Sequence, residues 1–361
     1  MTLRVAISIL MIFLVFTDVR GQAPKYSNEF LSVGAGARAL GMGGSVIASV
    51  NDATSGYWNP AGLTGLTSST SQLCLMHNEY FAGIAKYDYG SFSMRLDDKS
   101  VAGISFIRFG VDNIMNTLDL IDANGNLRYD RITKFSIADY GLIFSYGRKP
   151  AIEGLFIGGN MKLVYRKTGD FARAWGFGFD VGAKYELGKW HFGAVARDVT
   201  STFNVWSFNT SEMTEVFAVT GNELPENSLE LTVPRLIIGG AREFDLHKNF
   251  VLLAEMDADI TFDGKRHVLI ATNFFSIDPH LGLEFNYRKI VYLRLGIGNI
   301  QLIPDIDKNK SFDFQPALGL GVKLKNFTID YALTDLGDQS IALYSNVFSL
   351  AYSFNFSFPG N

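Results

Sequence analysis

The chain is poor in the features that would settle its class quickly. It has one cysteine, Cys74, in 361 residues, so no internal disulfide can staple it. Beyond residues 1–21 no apolar run approaches the ~20 residues that a spanning helix needs. Its five histidines, His77, His191, His247, His267 and His280, are scattered and form no ligand-spaced group. Lys and Arg never form runs and the net charge is −4, which leaves no electrostatic footprint for nucleic acid. There is no Gly-x-Ser-x-Gly nucleophile elbow. The glycines of 34–44 lack dinucleotide spacing and any Lys-Ser/Thr ending. Two acidic stretches imitate calcium loops only in part. The stretch Asp122-Ala-Asn124-Gly125, with Gly125 set in the sixth place of such a loop, has Arg131 in the twelfth. The loop Asp305-Ile-Asp307-Lys-Asn309 has Lys310 for the needed glycine and Pro316 for the closing glutamate. A non-enzymatic protein with no catalytic residue, metal or cofactor is therefore expected.

What the chain does have is alternation. Of its residues 47% are hydrophobic and 14% aromatic, with 36 glycines. From Phe348 to Phe358 every second residue is large and apolar: Phe348, Leu350, Tyr352, Phe354, Phe356, Phe358. The residues between are Ser349, Ala351, Ser353, Asn355 and Ser357. A strand sends neighbouring side chains to opposite faces, so this segment has one oily face and one small polar face. The pattern recurs. Trp175, Phe177, Phe179 and Val181 oppose Gly176, Gly178, Asp180 and Gly182; Met256 and Ala258 oppose Glu255, Asp257 and Asp259; Leu283 and Phe285 oppose Glu284; Ile329 and Tyr331 oppose Asp330. Such charges fit neither an oily core nor lipid. They require a wet or filled interior, which points to an all-β transmembrane antiparallel barrel.

Fourteen strands are expected: 70–78, 80–96, 100–110, 135–148, 154–167, 172–187, 189–199, 230–245, 249–262, 267–288, 291–300, 314–324, 327–335 and 345–357. Splitting 267–288 at Asp278-Pro279 would give fifteen. Parity opposes the split. With fourteen strands the long connections 111–134, 200–229, 301–313 and 336–344 share one end, as barrels of this kind require; Pro279 then marks a kink or bulge. A propeller would show a repeat of ~40–50 residues, and none is visible. A pair of soluble sandwiches fits poorly with an aromatic face in so many strands.

Residues 1–21 read as an export signal, with Arg4 ahead of an apolar stretch from Val5 to Phe16 and small residues Val19 and Gly21 before the cleavage point. A buried first element is the alternative. The barrel proper is assigned to 70–358. Residues 22–69 do not alternate. Asn59-Pro60 looks like a helix start, with Asn as cap and Pro in the first turn. A compact, small-residue segment of this length suits a helical or irregular plug in the lumen, and a periplasmic tail is the alternative. Arg38 is the only charge in residues 30–51 and, if buried, needs a carboxylate partner. The lumen candidates are Asp180, Glu255, Asp257, Glu284 and Asp330.

Two blocks in this segment carry a family resemblance: Phe-Leu-Ser-Val-Gly-Ala-Gly-Ala-Arg-Ala-Leu-Gly-Met-Gly-Gly over 30–44 and Asn-Asp-Ala-Thr-Ser-Gly-Tyr-Trp-Asn-Pro-Ala-Gly-Leu over 51–63. They resemble the PorV/PorQ family within the wider FadL-like group of outer-membrane barrels. Fragments such as Leu293-Arg294-Leu295-Gly296 and Gly319-Leu320-Gly321-Val322 look similar too. The resemblance implies a plug motif at Arg38, Gly41, Gly43, Gly44, Trp58, Asn59 and Pro60. It implies a role in type IX secretion, with the barrel binding exported cargo and passing it from the translocon to the attachment machinery. FadL-like barrels instead take up long-chain fatty acids or other hydrophobic solutes, which is the second implied function. Outer-membrane lipids are partners in either case, and nucleic acid in neither. The connection 200–229 is rich in apolar residues, including Phe203, Trp206, Phe208, Met213 and Phe217. On a barrel rim they would form a contact surface for a ligand or partner, or fold over the mouth.

Overall fold

The computed structural model describes residues 27–66 and 71–356, apart from 82, 123, 212–213, 215–222, 305–309 and 335–343. The expected signal segment, Met213 and Phe217 lie outside the described residues. The strands are β1 (Ser71–Tyr80), β2 (Ala85–Arg95), β3 (Ser100–Asn116), β4 (Thr133–Arg148), β5 (Leu155–Thr168), β6 (Ala172–Leu187), β7 (Trp190–Arg197), β8 (Thr202–Phe208), β9 (Ser228–Thr232), β10 (Arg235–His247), β11 (Phe250–Thr261), β12 (Ile270–Ala271), β13 (Ser276–Tyr287), β14 (Val291–Pro304), β15 (Lys310–Leu324), β16 (Phe327–Thr334) and β17 (Ser345–Phe354). All belong to one antiparallel sheet. Strand β17 pairs back onto β1, with Leu350 opposite Leu75, so the sheet closes. The wall has fourteen strands: β7 and β8 are halves of one interrupted strand, β9 and β10 halves of the next, and β12 is a two-residue addition to β13.

The interruption changes the reading of 200–229. Asp198 and Ser201 adopt φ of 55° and 56°, and residues 178–180 of β6 face the six residues 197–202. Past this bulge the chain resumes extended pairing, β8 with β6 and β9. The expected loop therefore begins as a continuation of the wall over 202–208, and 209–227 connects. The expected strand 267–288 is corrected as well. Strand β13 begins at Ser276, and Pro279 stands in register opposite Ala258 without a bulge. The ladder from β13 to β14 begins only at Leu281, so no bond to β14 is lost where proline lacks its N–H. Residues 262–275 thus make a further long connection, and it lies at the same end as the others.

Period-two burial follows the sequence. On β6, Trp175, Phe177, Phe179 and Val181 are exposed on the outside, whereas Asp180 and Lys184 are buried inside. A continuous oily exterior and a charged interior need lipid outside and polar partners inside. Much of that partnership comes from residues 27–66. They form a 3-10 turn (Glu29–Leu31), a helix (Ala37–Gly41), a second helix (Ser55–Trp58) and another 3-10 turn (Pro60–Gly65) within the cylinder. Asn59 caps the last of these as its sequence suggested: its side chain accepts the Ala61 N–H at 3.2 Å, and Pro60 fills the first position. Lumen-facing glycines seat the segment. A Cβ at Gly158 would lie 2.4 Å from the Pro60 carbonyl carbon, and one at Gly296 would lie 2.0 Å from the Gly43 nitrogen.

The lipid-facing assignment makes a direct prediction. Leu350 lies midway along β17 and points outward. Leu350→Arg should cost about 2–4 kcal/mol of barrel stability, read by denaturant unfolding in vesicles. An unchanged midpoint would contradict the assignment.

Candidate functional site: the plugged lumen

The wall grips the inner segment by charge and by hydrogen bonds to its backbone. Glu255 and Asp257 project inward from β11. Asp257 Oδ2 accepts the N–H groups of Val46 and Ile47 at 2.8 and 3.0 Å. Glu255 Oε1 accepts those of Ala48 and Ser49 at 2.7 and 3.2 Å. Two neighbouring carboxylates thus hold four consecutive N–H groups of one turn, and charge-assisted bonds of this kind are the stronger class. Nearby, the His280 ring donates from Nδ1 to the Gly43 carbonyl at 2.8 Å. The bonding runs round the cylinder. Lys184 Nζ reaches the Val50 carbonyl at 2.7 Å, Asn160 the Gly56 carbonyl at 2.9 Å and Arg197 the Tyr57 carbonyl at 3.0 Å. On the opposite wall Ser349 accepts the Ala37 N–H at 3.1 Å.

Arg38 finds Glu284 among the candidates named from sequence, Nε to Oε2 at 3.0 Å. Glu284 also meets Arg294 at 2.6 Å, and Arg294 meets Asp330 at 2.7 Å. Two cations and two anions therefore form a neutral chain across β13, β14 and β16. Asp180 belongs instead to Lys162, at 2.7 Å, together with Asp198 at the wall bulge, at 2.5 Å. The remaining plug positions are packed. Gly41 lies against the Gly319 backbone, and Gly43 and Gly44 take φ of 66° and 81°, which suit glycine. Trp58 Nε1 donates to the Ala35 carbonyl at 2.7 Å. Asn59 is fully buried, and its amide donates to the carbonyls of Ile47 and Ala183.

Among the described residues of the predicted rim cluster, Phe203 is set apart from Trp206 and Phe208. Phe203 belongs to the outer wall, with its ring 4.2 Å from that of Phe177. Trp206 is on the opposite face of β8, where Arg166 lies over its ring at 5.0 Å and Glu230 accepts its N–H at 2.6 Å. Phe208 ends the strand, stacked beside Trp206. The strand period separates them: Thr202, Asn204 and Trp206 share one face and Phe203 and Val205 the other. The alternation was present in the sequence and was obscured by the break at 198–201.

Two cavities flank the plug. One, of about 540 Å³, opens toward the long connections. Val33, Leu40, Ile47 and Trp58 of the plug and Ile237 of β10 give it an apolar side. Arg235, Asp257, Asp259, Asp278 and His280 give it a charged one. Sequence reasoning did not single out Arg235, Ile237 or His280, because each is an ordinary inward position until the plug is in place. The other cavity, of about 330 Å³, lies toward the short turns and is lined largely by polar groups, Arg38, Lys184, Glu284 and Arg294 among them. Residues 46–50 separate the two: Ile47 faces the first, and Val46, Ser49 and Val50 face the second. Among the described residues no three His, Cys, Asp or Glu side chains gather to hold a metal.

No protein-family model and no curated protein matches the chain. Solved structures do. The toluene transporter TodX of P. putida aligns with a TM-score of 0.55 and 15% identity, over 90% of this chain and 99% of that one. The CymD monoaromatic hydrocarbon channel aligns at 0.53 and 14%, over 90% and 98%. A Pseudomonas aeruginosa FadL homologue aligns at 0.52 and 12%, over 89% and 98%. The barrel has the fold of the FadL-like outer-membrane channels. At these identities the likeness concerns architecture, and it extends over nearly the whole length of each partner.

The geometry ranks substitutions in the ion chain. Removing Arg38 leaves Glu284 with Arg294, whereas removing Arg294 strands Asp330 and half-strands Glu284. Arg294→Met should therefore be the more damaging, by about 3–5 kcal/mol, and Arg38→Met the milder, as measured by heat-modifiable migration or denaturant melts. The reverse order would refute the pairing. In Asp257→Ala, hydrogen exchange at Val46 and Ile47 should accelerate at least about tenfold, because their acceptor is gone; unchanged protection would show that the carboxylate does not hold the turn.

Proposed function

We propose that the protein is an outer-membrane channel of FadL-like fold that takes up small hydrophobic solutes bearing a polar head. The carrying observation is the two-sided cavity of about 540 Å³ directly above the plug turn, a volume in the range of ordinary ligand sites. Arg235 and Asp259 pair with each other at 3.0 Å and Asp257 accepts two backbone N–H groups, and a pure hydrocarbon beside them would strip the remaining water from these polar groups, which is costly. A long-chain fatty acid or comparable amphiphile could lay its chain along Leu40, Ile47, Trp58 and Ile237 and keep its head at the charged wall. The structural likeness to hydrocarbon channels supports the apolar half of this reading. A continuous apolar route from the rim to Asn59-Pro60, the simplest form of an uptake path, is not seen among the described residues: both side chains are packed against the wall, beside Gly158 and Gly182.

A second reading is handling of secreted protein cargo in type IX secretion. The resemblance at 30–44 and 51–63 supports it, as does a lumen sealed by many hydrogen bonds. Titrating the purified barrel with a long-chain fatty acid separates the two. The uptake reading expects saturable quenching of Trp58 and about tenfold weaker binding in Ile237→Ser. Absence of saturable binding, with secretion-machine proteins recovered alongside the barrel from native outer membranes, would favour cargo handling.

A further inference from the structure

The two ends of the barrel differ in charge in a way that neither the plug nor the cavities explain. Six short turns join the strands at one end: 96–99, 149–154, 188–189, 248–249, 288–290 and 325–326. Every one carries a lysine, namely Lys99, Lys149, Lys189, Lys248, Lys289 and Lys325, and Arg288 adds a seventh cation. Against these seven stand three acids within the turns, Asp97, Asp98 and Glu153, and Asp245 at the flank of one turn pairs with Lys189. Among the described residues the connections at the other end carry seven Asp or Glu against four Lys or Arg. One end is therefore a ring of cations and the other is acidic.

The depth of the ring follows from its neighbours. Each short turn also exposes a large apolar side chain within it or at its flank: Leu96, Ile152, Leu187, Leu246, Ile290 and Leu324, between 40% and 63% accessible. Trp190 and Phe327 stand beside two of these turns, also on the outer surface. Such residues in turns projecting into water would be an unexplained liability. At a bilayer boundary they anchor in the acyl region, and long cationic side chains next to them reach the headgroup layer. The cation contacts fit that placement: Lys149 Nζ sits 5.7 Å from the Phe156 ring centre, and the Arg242 guanidinium lies 4.8 Å from that of Trp190. Short turns mark the periplasmic end of barrels of this class, so the ring meets the phospholipid leaflet that faces the periplasm.

We propose that the six-lysine ring is a binding collar for anionic glycerophospholipids of that leaflet. A phosphodiester headgroup without a compensating ammonium complements a lysine held at its own depth, whereas a zwitterionic headgroup brings its own cation. The ring encircles the barrel outside the larger cavity, and of its six lysines Lys289 also borders the smaller one. It therefore selects the surrounding lipid and not the transported solute, and it stands whichever function above is correct.

The test places the full mature chain, carrying Trp175→Phe so that Trp190 is the outward-facing tryptophan, in nanodiscs. Brominated phosphatidylglycerol in unlabelled phosphatidylcholine is compared with the converse mixture. Quenching of Trp190 should show about threefold preference for phosphatidylglycerol at low salt, falling toward equality in ~0.5 M NaCl. The variant with all six lysines changed to Gln, checked for folding by heat-modifiable migration, should show no preference at any salt. Equal quenching at low salt, a preference insensitive to salt, or one that survives the six substitutions overturns the proposal. If the variant does not fold, the salt series on the unaltered ring decides alone. An acidic soluble protein that binds the ring in the nanodisc and abolishes the lipid preference would also overturn it, reassigning the ring to protein docking.

Discussion

The pairing of the last strand with the first is the constraint on which the remaining structure depends. In hydrocarbon no water can satisfy a free strand edge, so a sheet survives there only if it closes. Once closed, every inward position faces a narrow interior, and that interior contains Lys162, Lys184, Glu255, Asp257, Glu284, Arg294 and Asp330, each under a tenth exposed. Left facing an empty cylinder, these groups would demand water. Left facing apolar filler, they would be prohibitively costly. A segment rich in exposed backbone N–H and C=O groups answers both demands, because short helices and turns leave many such groups without internal partners.

This explains why the plug is irregular and glycine-rich. A long helix would satisfy its own backbone and leave the wall unpaired. The turns at 42–50 and 51–59 present donors to Glu255 and Asp257 and acceptors to Lys184, Asn160 and Arg197. Close approach then needs room, which comes from lumen-facing glycines on the wall. The same tight packing confines empty space chiefly to either side of the plug, where apolar plug residues meet a charged wall.

Much of this was legible in the sequence. The outward aromatic series of β6 and β17 and the inward charges of β11, β13 and β16 follow a period of two, and the parity of long and short connections fixed the strand number. Asn59-Pro60 announced its own cap. Arg38 had to find a carboxylate, and Glu284 was among those facing it. What stayed hidden depends on three-dimensional coincidence. The partition of Phe203 from Trp206 was masked by a bulge at Asp198–Ser201, where local sequence reads as a strand end. The start of β13 was hidden because 267–275 is apolar enough to pass for strand. The roles of His280, Ile237 and Arg235 exist only relative to the plug, and no pattern along the chain encodes which inward side chain meets which turn.

The bond between the Ala37 N–H and Ser349 has a consequence for biogenesis. The two residues are separated by 312 positions, and the acceptor belongs to β17, which follows every other described strand in the chain. The plug leaves the ribosome before every strand of the wall, yet its full set of contacts cannot form until β17 has been zipped into the seam. Residues 27–66 therefore remain incompletely partnered until that seam closes. Locking of the plug would be the last event of assembly.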